Sequence, residues 1–203
     1  MIHEVTKPVG EAKYIAFLQY WEGGTSSKKS DYASKCHEGI HTVRGITWCT
    51  YQDLQAVLGN TPDYSKFLNM TEAEWNFLYN LYFRRFDLTK LEALWKKYPM
   101  IAYQVMEVYW MAGPLNCERM FAEFQRKWFK ITDSDIKLNE IVDNFLNMTN
   151  TYRSVLYMLW HRRQMYYARL RDNGSKNYNG WMNRLNDLYK KFAPAWTLEK
   201  LGL

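Results

Sequence analysis

Apolar side chains recur three and four residues apart along most of this chain, and glycine or proline interrupts them at a few sharp points. A stripe at the 3.6-residue period must be buried against another stripe, so the pattern commits the chain to packed helices. Ala12, Tyr14, Ile15, Phe17, Leu18 and Trp21 share one face of a helix predicted over 10–21, and Gly23-Gly24 ends it. Asp53 to Leu58 reads as a short helix closed by Gly59-Asn60-Thr61-Pro62. Thr71 followed by Glu74 has the spacing of a capping box, and opens a helix with Trp75, Leu78, Tyr79 and Tyr82 on its core side. Another starts near Pro99, carries Ile101, Val105, Val108 and Tyr109 inward, and stops at Gly113-Pro114. Further helices are predicted over 117–129, 134–148, 149–170 and 178–192, with Asp172-Asn173-Gly174-Ser175 as a break. No strand run or internal repeat stands out, and residues 25–40 read as a polar loop with room for a short hairpin. The expected fold class is therefore mainly α. Gly113-Pro114 divides a region 1–112 from a helical region 113–203, or the two form one compact unit.

Length and composition narrow the functions. At 203 residues the chain can bury a full core without metal or disulfide staples. Aromatic residues make up 17%, a share that suits a core, a sugar-stacking cleft and an interface equally well. The formal charge of +6 favours anionic partners such as nucleic acid, acidic lipid or bacterial wall polymer. Cys36, Cys49 and Cys117 are odd in number and widely spaced, with no C-x-x-C pair. That argues against a disulfide framework and a zinc site, and for a reducing compartment of synthesis. The first eight residues have no apolar signal core, and no stretch approaches the ~18 apolar residues of a membrane span. Synthesis in the cytoplasm, no stable membrane insertion, and no cofactor or metal are the resulting expectations.

The chemistry concentrates near Trp21-Glu22-Gly23-Gly24. A carboxylate where a helix breaks into two glycines suits an acid at the lip of a cleft. Glycosidic hydrolysis needs such a carboxyl protonated near neutrality, about two units above its ordinary ~4.3, and burial beside Trp21 could supply the desolvation. Asp31, or Glu38 in competition with it, is the candidate second carboxylate, and Thr42 the candidate holder of water. His41 is a candidate contact to substrate or Asp31. His37 and His41 share a face only in a helix, and nothing nearby completes a metal site. Trp48 and Tyr51 are candidates to stack on sugar rings, with core packing as the competing role. Arg153, His161, Arg162, Arg163, Arg169 and Arg171 form a basic segment that reads as a solvated helix face.

Glu22-Gly23-Gly24, then Asp31, then Thr42-x-x-Gly45-Ile46-Thr47 resembles the N-terminal motif of glycoside hydrolase family 108, the N-acetylmuramidases of phage endolysins, also described as secretion activators. Arg163-Gln164-Met165-Tyr166-Tyr167, Gly180-Trp181-Met182-Asn183-Arg184 and Phe124-Gln125-Arg126 resemble that family's C-terminal peptidoglycan-binding region. The resemblance covers most of the chain in the expected order. It implies a lysozyme-like helical domain with an irregular or short-hairpin active-site loop, followed by a packed C-terminal helical region. It also implies Glu22 as catalytic acid, with Asp31 and Thr42 on the family's Asp and Thr. The departures are Ala33-Ser34 in place of Gly-Gly, about six extra residues before His41, Val43 in place of Asn, and Thr132-Asp133-Ser134-Asp135-Ile136 in place of a Gly-bearing turn.

The leading expectation is thus a muramidase cleaving the β-1,4 bond between N-acetylmuramic acid and N-acetylglucosamine in bacterial peptidoglycan. It would be released to the periplasm or wall by a holin or other export machinery, with a phage or prophage origin. A catalytically degenerate wall-glycan-binding protein is the alternative, motivated by the substitutions around Asp31. A helical nucleic-acid-binding domain is the third, prompted by charge alone and without a recognised motif.

Overall fold

The structure, a computed structural model, describes residues 9–29, 32–133, 135–174 and 176–203. The chain is mainly α and divides into two compact units, Met1–Arg85 and Phe86–Leu203.

In the first unit, α1 (Ala12–Glu22) buries Tyr14, Ile15, Phe17 and Leu18 of the face its periodicity predicts, while Ala12 at its start is exposed and Trp21 at its end half-buried. Beyond Gly23-Gly24 come three two-residue strands, β1 (Thr25–Ser26), β2 (Thr42–Val43) and β3 (Ile46–Thr47). They form an antiparallel sheet in the order β1-β2-β3, with Thr25 opposite Val43 and Val43 opposite Ile46. Arg44 and Gly45 join β2 to β3, both at positive φ (48° and 78°), the sense of turn whose twist matches a two-residue hairpin. Thr47 then caps α2 (Trp48–Val57), accepting a hydrogen bond from the Thr50 amide. The helix expected from Asp53 therefore starts five residues earlier, since Thr47 ends the strand and starts the helix. Asp63 caps α3 (Tyr64–Leu68), a short helix beyond those predicted, by accepting from the amides of Ser65 and Lys66. Thr71 and Glu74 form the predicted capping box at the head of α4 (Glu72–Phe83).

The excursion between β1 and β2 is tied down. Cys36 and Cys49 form a disulfide, Cα to Cα 5.4 Å, joining the loop to the first turn of α2. This overturns the expectation that the cysteines stay reduced: the hairpin and the start of α2 bring together two residues that sequence spacing keeps apart. His37 stacks on Tyr64 with ring centroids 4.1 Å apart, and the Tyr64 hydroxyl donates to the Ile40 carbonyl.

The second unit holds α5 (Leu88–Lys97), α6 (Pro99–Ala112), α7 (Pro114–Phe129), α8 (Leu138–Leu146), α9 (Tyr152–Asp172), α10 (Tyr178–Phe192) and α11 (Ala195–Leu201). Every residue of α6 from Met100 to Tyr109 is buried, so this helix is the unit's axis, apolar on all sides except Gln104 and Glu107. It packs on α5, α7 and α9. The boundary expected at Gly113-Pro114 accordingly falls inside the unit. That pair only turns the chain between two helices packed on each other, whereas a domain edge needs few contacts across it. α5 and α11 were not anticipated; Asp87 caps α5 by accepting from the amides of Thr89 and Lys90. Among the described residues no helix is long and apolar enough to cross a membrane.

Candidate active site

Glu22 is the last residue of α1, half-buried, and its side chain lies against the β2–β3 turn. A Cβ built on Gly45 would stand 2.6 Å from Glu22 Oε2 and 2.8 Å from Glu22 Cβ. Gly45 therefore serves twice: it supplies the positive φ of the turn and the space that Glu22 occupies. Gly23 is also confined, since a Cβ there would fall 2.7 Å from the Gln19 carbonyl oxygen. The Arg44 amide donates to the Gly24 carbonyl, and the Trp75 indole N–H donates to the Arg44 carbonyl, both at 2.9 Å. The glycine break, the hairpin turn and α4 are thereby held together around one carboxylate.

These groups wall an open cavity of about 240 Å³ lined by Gln19, Glu22, Gly23, Arg44, Glu72 and Trp75. It presents two carboxylates, one guanidinium and one indole, enough to donate a proton, accept one, and orient a polar substrate. Trp75 is only 1% exposed and packs as the core residue its spacing predicts, yet one part of it forms a wall of this cavity. Helical periodicity reports burial and cannot report which buried ring borders a cavity. Glu72 also went unnoticed: as the first residue of a capped helix it reads as a charge favourable to the helix dipole.

The other predicted site residues divide. Asp31 lies outside the described residues. Thr42 sits on β2 with its hydroxyl 3.0 Å from His41 Nδ1, and does not line the cavity. His41 is fully buried, with Nε2 3.2 Å from the Lys28 carbonyl oxygen. A carbonyl can only accept, so Nε2 carries the proton, and in the neutral ring Nδ1 accepts from the Thr42 hydroxyl. Both ring nitrogens thus hold the loop, and the expected contact of His41 with substrate is replaced by a structural role. Trp48 and Tyr51 are 9% and 6% exposed, stacked on each other at 5.5 Å and packed edge-on or tilted against Phe67. They are core, not a sugar platform. Burial, helped by the charges of Glu74 and Asp63, holds the Tyr51 phenol above its ordinary range. Trp21 leans on Phe17 and Tyr20 and is not part of the cavity wall; the tryptophan that lines the cavity with Glu22 is Trp75.

Among the described residues no cluster of His, Cys, Asp and Glu has the makings of a metal site. In the second unit, the basic segment on α9 is less free than its sequence reads. Arg163 is buried, Arg162 pairs with Glu123, Arg171 with Asp172, and Arg153 lies over the Trp196 ring. No protein-family model matches the chain, and no curated protein or solved structure matches it either.

Proposed function

We propose that this protein is a peptidoglycan hydrolase, an N-acetylmuramidase of the lysozyme type, with Glu22 as the general acid. The observation that carries the reading is the placement of Glu22 at a helix end against a tight hairpin turn, on an open cavity shared with Arg44, Glu72 and Trp75. The resemblance of Glu22-Gly23-Gly24 and Thr42-x-x-Gly45-Ile46-Thr47 to family 108 supplies the substrate class. Glu22 would protonate the departing glycosidic oxygen. The second carboxylate is Asp31 by that resemblance, while Glu72 is the one that borders the same cavity. A separation of about 6.5–9.5 Å from Glu22 would give inversion with an activated water, and about 5 Å retention through a glycosyl intermediate. The Cys36–Cys49 bridge suits action in an oxidising periplasm or wall after release from the cytoplasm.

A second reading, a wall-glycan-binding protein that has lost turnover, is favoured by one observation. His41, Trp48 and Tyr51 are all committed to packing, which leaves the glycan fewer side chains to rest on. Reducing-end release from purified peptidoglycan separates the two. We expect release by the wild type and none by folded Glu22→Gln, and loss with either Asp31→Asn or Glu72→Gln to name the second carboxylate. Binding to sacculi without release by the wild type would establish the binding reading, and full activity in Glu22→Gln would remove Glu22 from the mechanism.

A further inference from the structure

In the second unit α7 and α9 both pack on α6, and an open groove of about 470 Å³ takes one wall from each. Its α9 wall repeats with the helical period: Tyr157 and Met158, His161 and Arg162, Met165, then Arg169. From Tyr157 to Arg169 that wall extends about 18 Å, a little over three turns. The α7 wall supplies Glu123, Phe124, Lys127 and Trp128. Glu123 on one wall pairs with Arg162 on the other, so the two are fixed to each other before anything binds. The lining is largely apolar. Phe124 is buried, Tyr157 and Met158 are half-buried, and Trp128 and Met165 are 40% and 51% exposed. Single exposed apolar side chains are ordinary, but these converge on one concavity, which marks a surface built to be covered.

The charge on the groove is one-sided. Lys127, Arg162 and Arg169 line it against the single carboxylate of Glu123. Arg162 takes up Glu123, and among the described residues neither Lys127 nor Arg169 has a carboxylate partner. Two cations in excess beside apolar walls call for an occupant with an apolar face flanked by acids. The rings narrow the class further. Lys127 Nζ stands over the Trp128 ring at 5.1 Å and Lys200 Nζ over the Tyr157 ring at 4.3 Å. One face of each ring is therefore already covered by a cation, which counts against a stacked nucleic-acid base. A flat bilayer cannot follow the concavity down to Phe124. Methionines re-shape to seat leucine-type side chains, and a groove walled by two helices over about three turns is the natural seat of a third.

We propose that the groove between α7 and α9 is a protein-docking site that takes an amphipathic helix of a partner, apolar on one face and acidic along its flanks. The site is independent of Glu22 and of the reading given to it. Its test uses the full chain and a blocked peptide of about 15 residues, with leucine at helical spacing on one face and glutamate elsewhere. Two control peptides carry the same residues in scrambled order, or lysine in place of glutamate. Binding is followed through the methyl resonances of Met158 and Met165, assigned with Met158→Leu and Met165→Leu. The acidic helix shifts both saturably, and the controls bind at least about tenfold more weakly. Met165→Glu and the double variant Lys127→Glu, Arg169→Glu change exposed positions and keep the fold. Each weakens the acidic peptide at least about tenfold, and the double variant favours the lysine peptide instead. No saturable shift of these methyls, equal binding by either control, or wild-type affinity in Met165→Glu or in the double variant would each overturn the site. Shifts produced by phosphatidylglycerol vesicles, oligothymidylate or peptidoglycan fragments, and not by the acidic helix, would overturn it in favour of that occupant.

Discussion

Replacing Gly45 with alanine tests whether the β2–β3 turn and the candidate acid were built around each other. Two costs add at this position. The φ of 78° places an L-residue in the left-handed region, at about 1–2 kcal/mol. The new methyl also overlaps Glu22, at 2.6 Å from Oε2 and 2.8 Å from both Cδ and Cβ. The carboxylate can swing away, but Glu22 Cβ is fixed by α1, so the turn itself must shift, an overpacking cost of about 1–3 kcal/mol. We expect Gly45→Ala to destabilise the first unit by about 2–5 kcal/mol. Denaturant unfolding reads the total, and amide exchange across Thr42–Thr47 assigns it to this unit. Gly45→Asn separates the terms, because asparagine tolerates the left-handed region but brings the same Cβ. In a Glu22→Ala background the Oε2 and Cδ overlaps vanish, and the cycle should show coupling of about 0.5–3 kcal/mol. A cost for Gly45→Ala within about 0.5 kcal/mol of zero, or one unchanged by Glu22→Ala, would refute the packing argument.

Three further outcomes follow from the geometry. Cys36 and Cys49 are 13 residues apart, so Cys36→Ser should cost about 3 kcal/mol through loop-closure entropy, and thiol counting on the denatured, unreduced protein should find Cys117 alone; three titrating thiols would refute the bridge. Arg184→Met leaves Glu107 buried without its cation and should cost about 3–5 kcal/mol, most of it recovered in the Glu107→Leu, Arg184→Met double variant, as melting curves would show. Burial pushes the Tyr152 phenol up from its ordinary 10.0 to about 12 and the Tyr189 phenol higher still. Both are neutral in folded and unfolded chains below pH 10.0, while above it the unfolded chain loses its protons first. Stability is therefore whole below that pH and falls as pH climbs towards 12; tyrosinate absorbance with both groups titrating normally in the folded protein would contradict it.

Some of this was legible in the residues themselves. The apolar face of α1, the glycines that end it, the Thr71–Glu74 box and the stop at Gly113 are local signals, each set by atoms within one or two turns of chain. The short helices α3 and α11 lacked a periodic run long enough to announce them, although Asp63 was readable as a cap. By contrast, α5 carries Leu88, Leu91, Leu94 and Trp95 at helical spacing behind the Asp87 cap and was legible in the residues. Trp48 and Tyr51 show the opposite limit. An aromatic near a cleft motif and an aromatic in a core have the same sequence signature, and Phe67, nineteen positions beyond Trp48, decided between them.

What the sequence determined by itself was therefore the class of structure, helical with one irregular polar excursion, and the prominence of Glu22 at a helix break. Both rest on periodicity and backbone freedom, which act over short distances along the chain. Only the tertiary structure decided that Cys36 meets Cys49, that His41 spends both nitrogens on the loop, that Trp75 and Glu72 share a cavity with Glu22, and that Trp128 and Met165 line one groove. Each of these depends on contacts between segments separated by many residues. The geometry of such contacts is set by how whole helices pack, which no local pattern encodes.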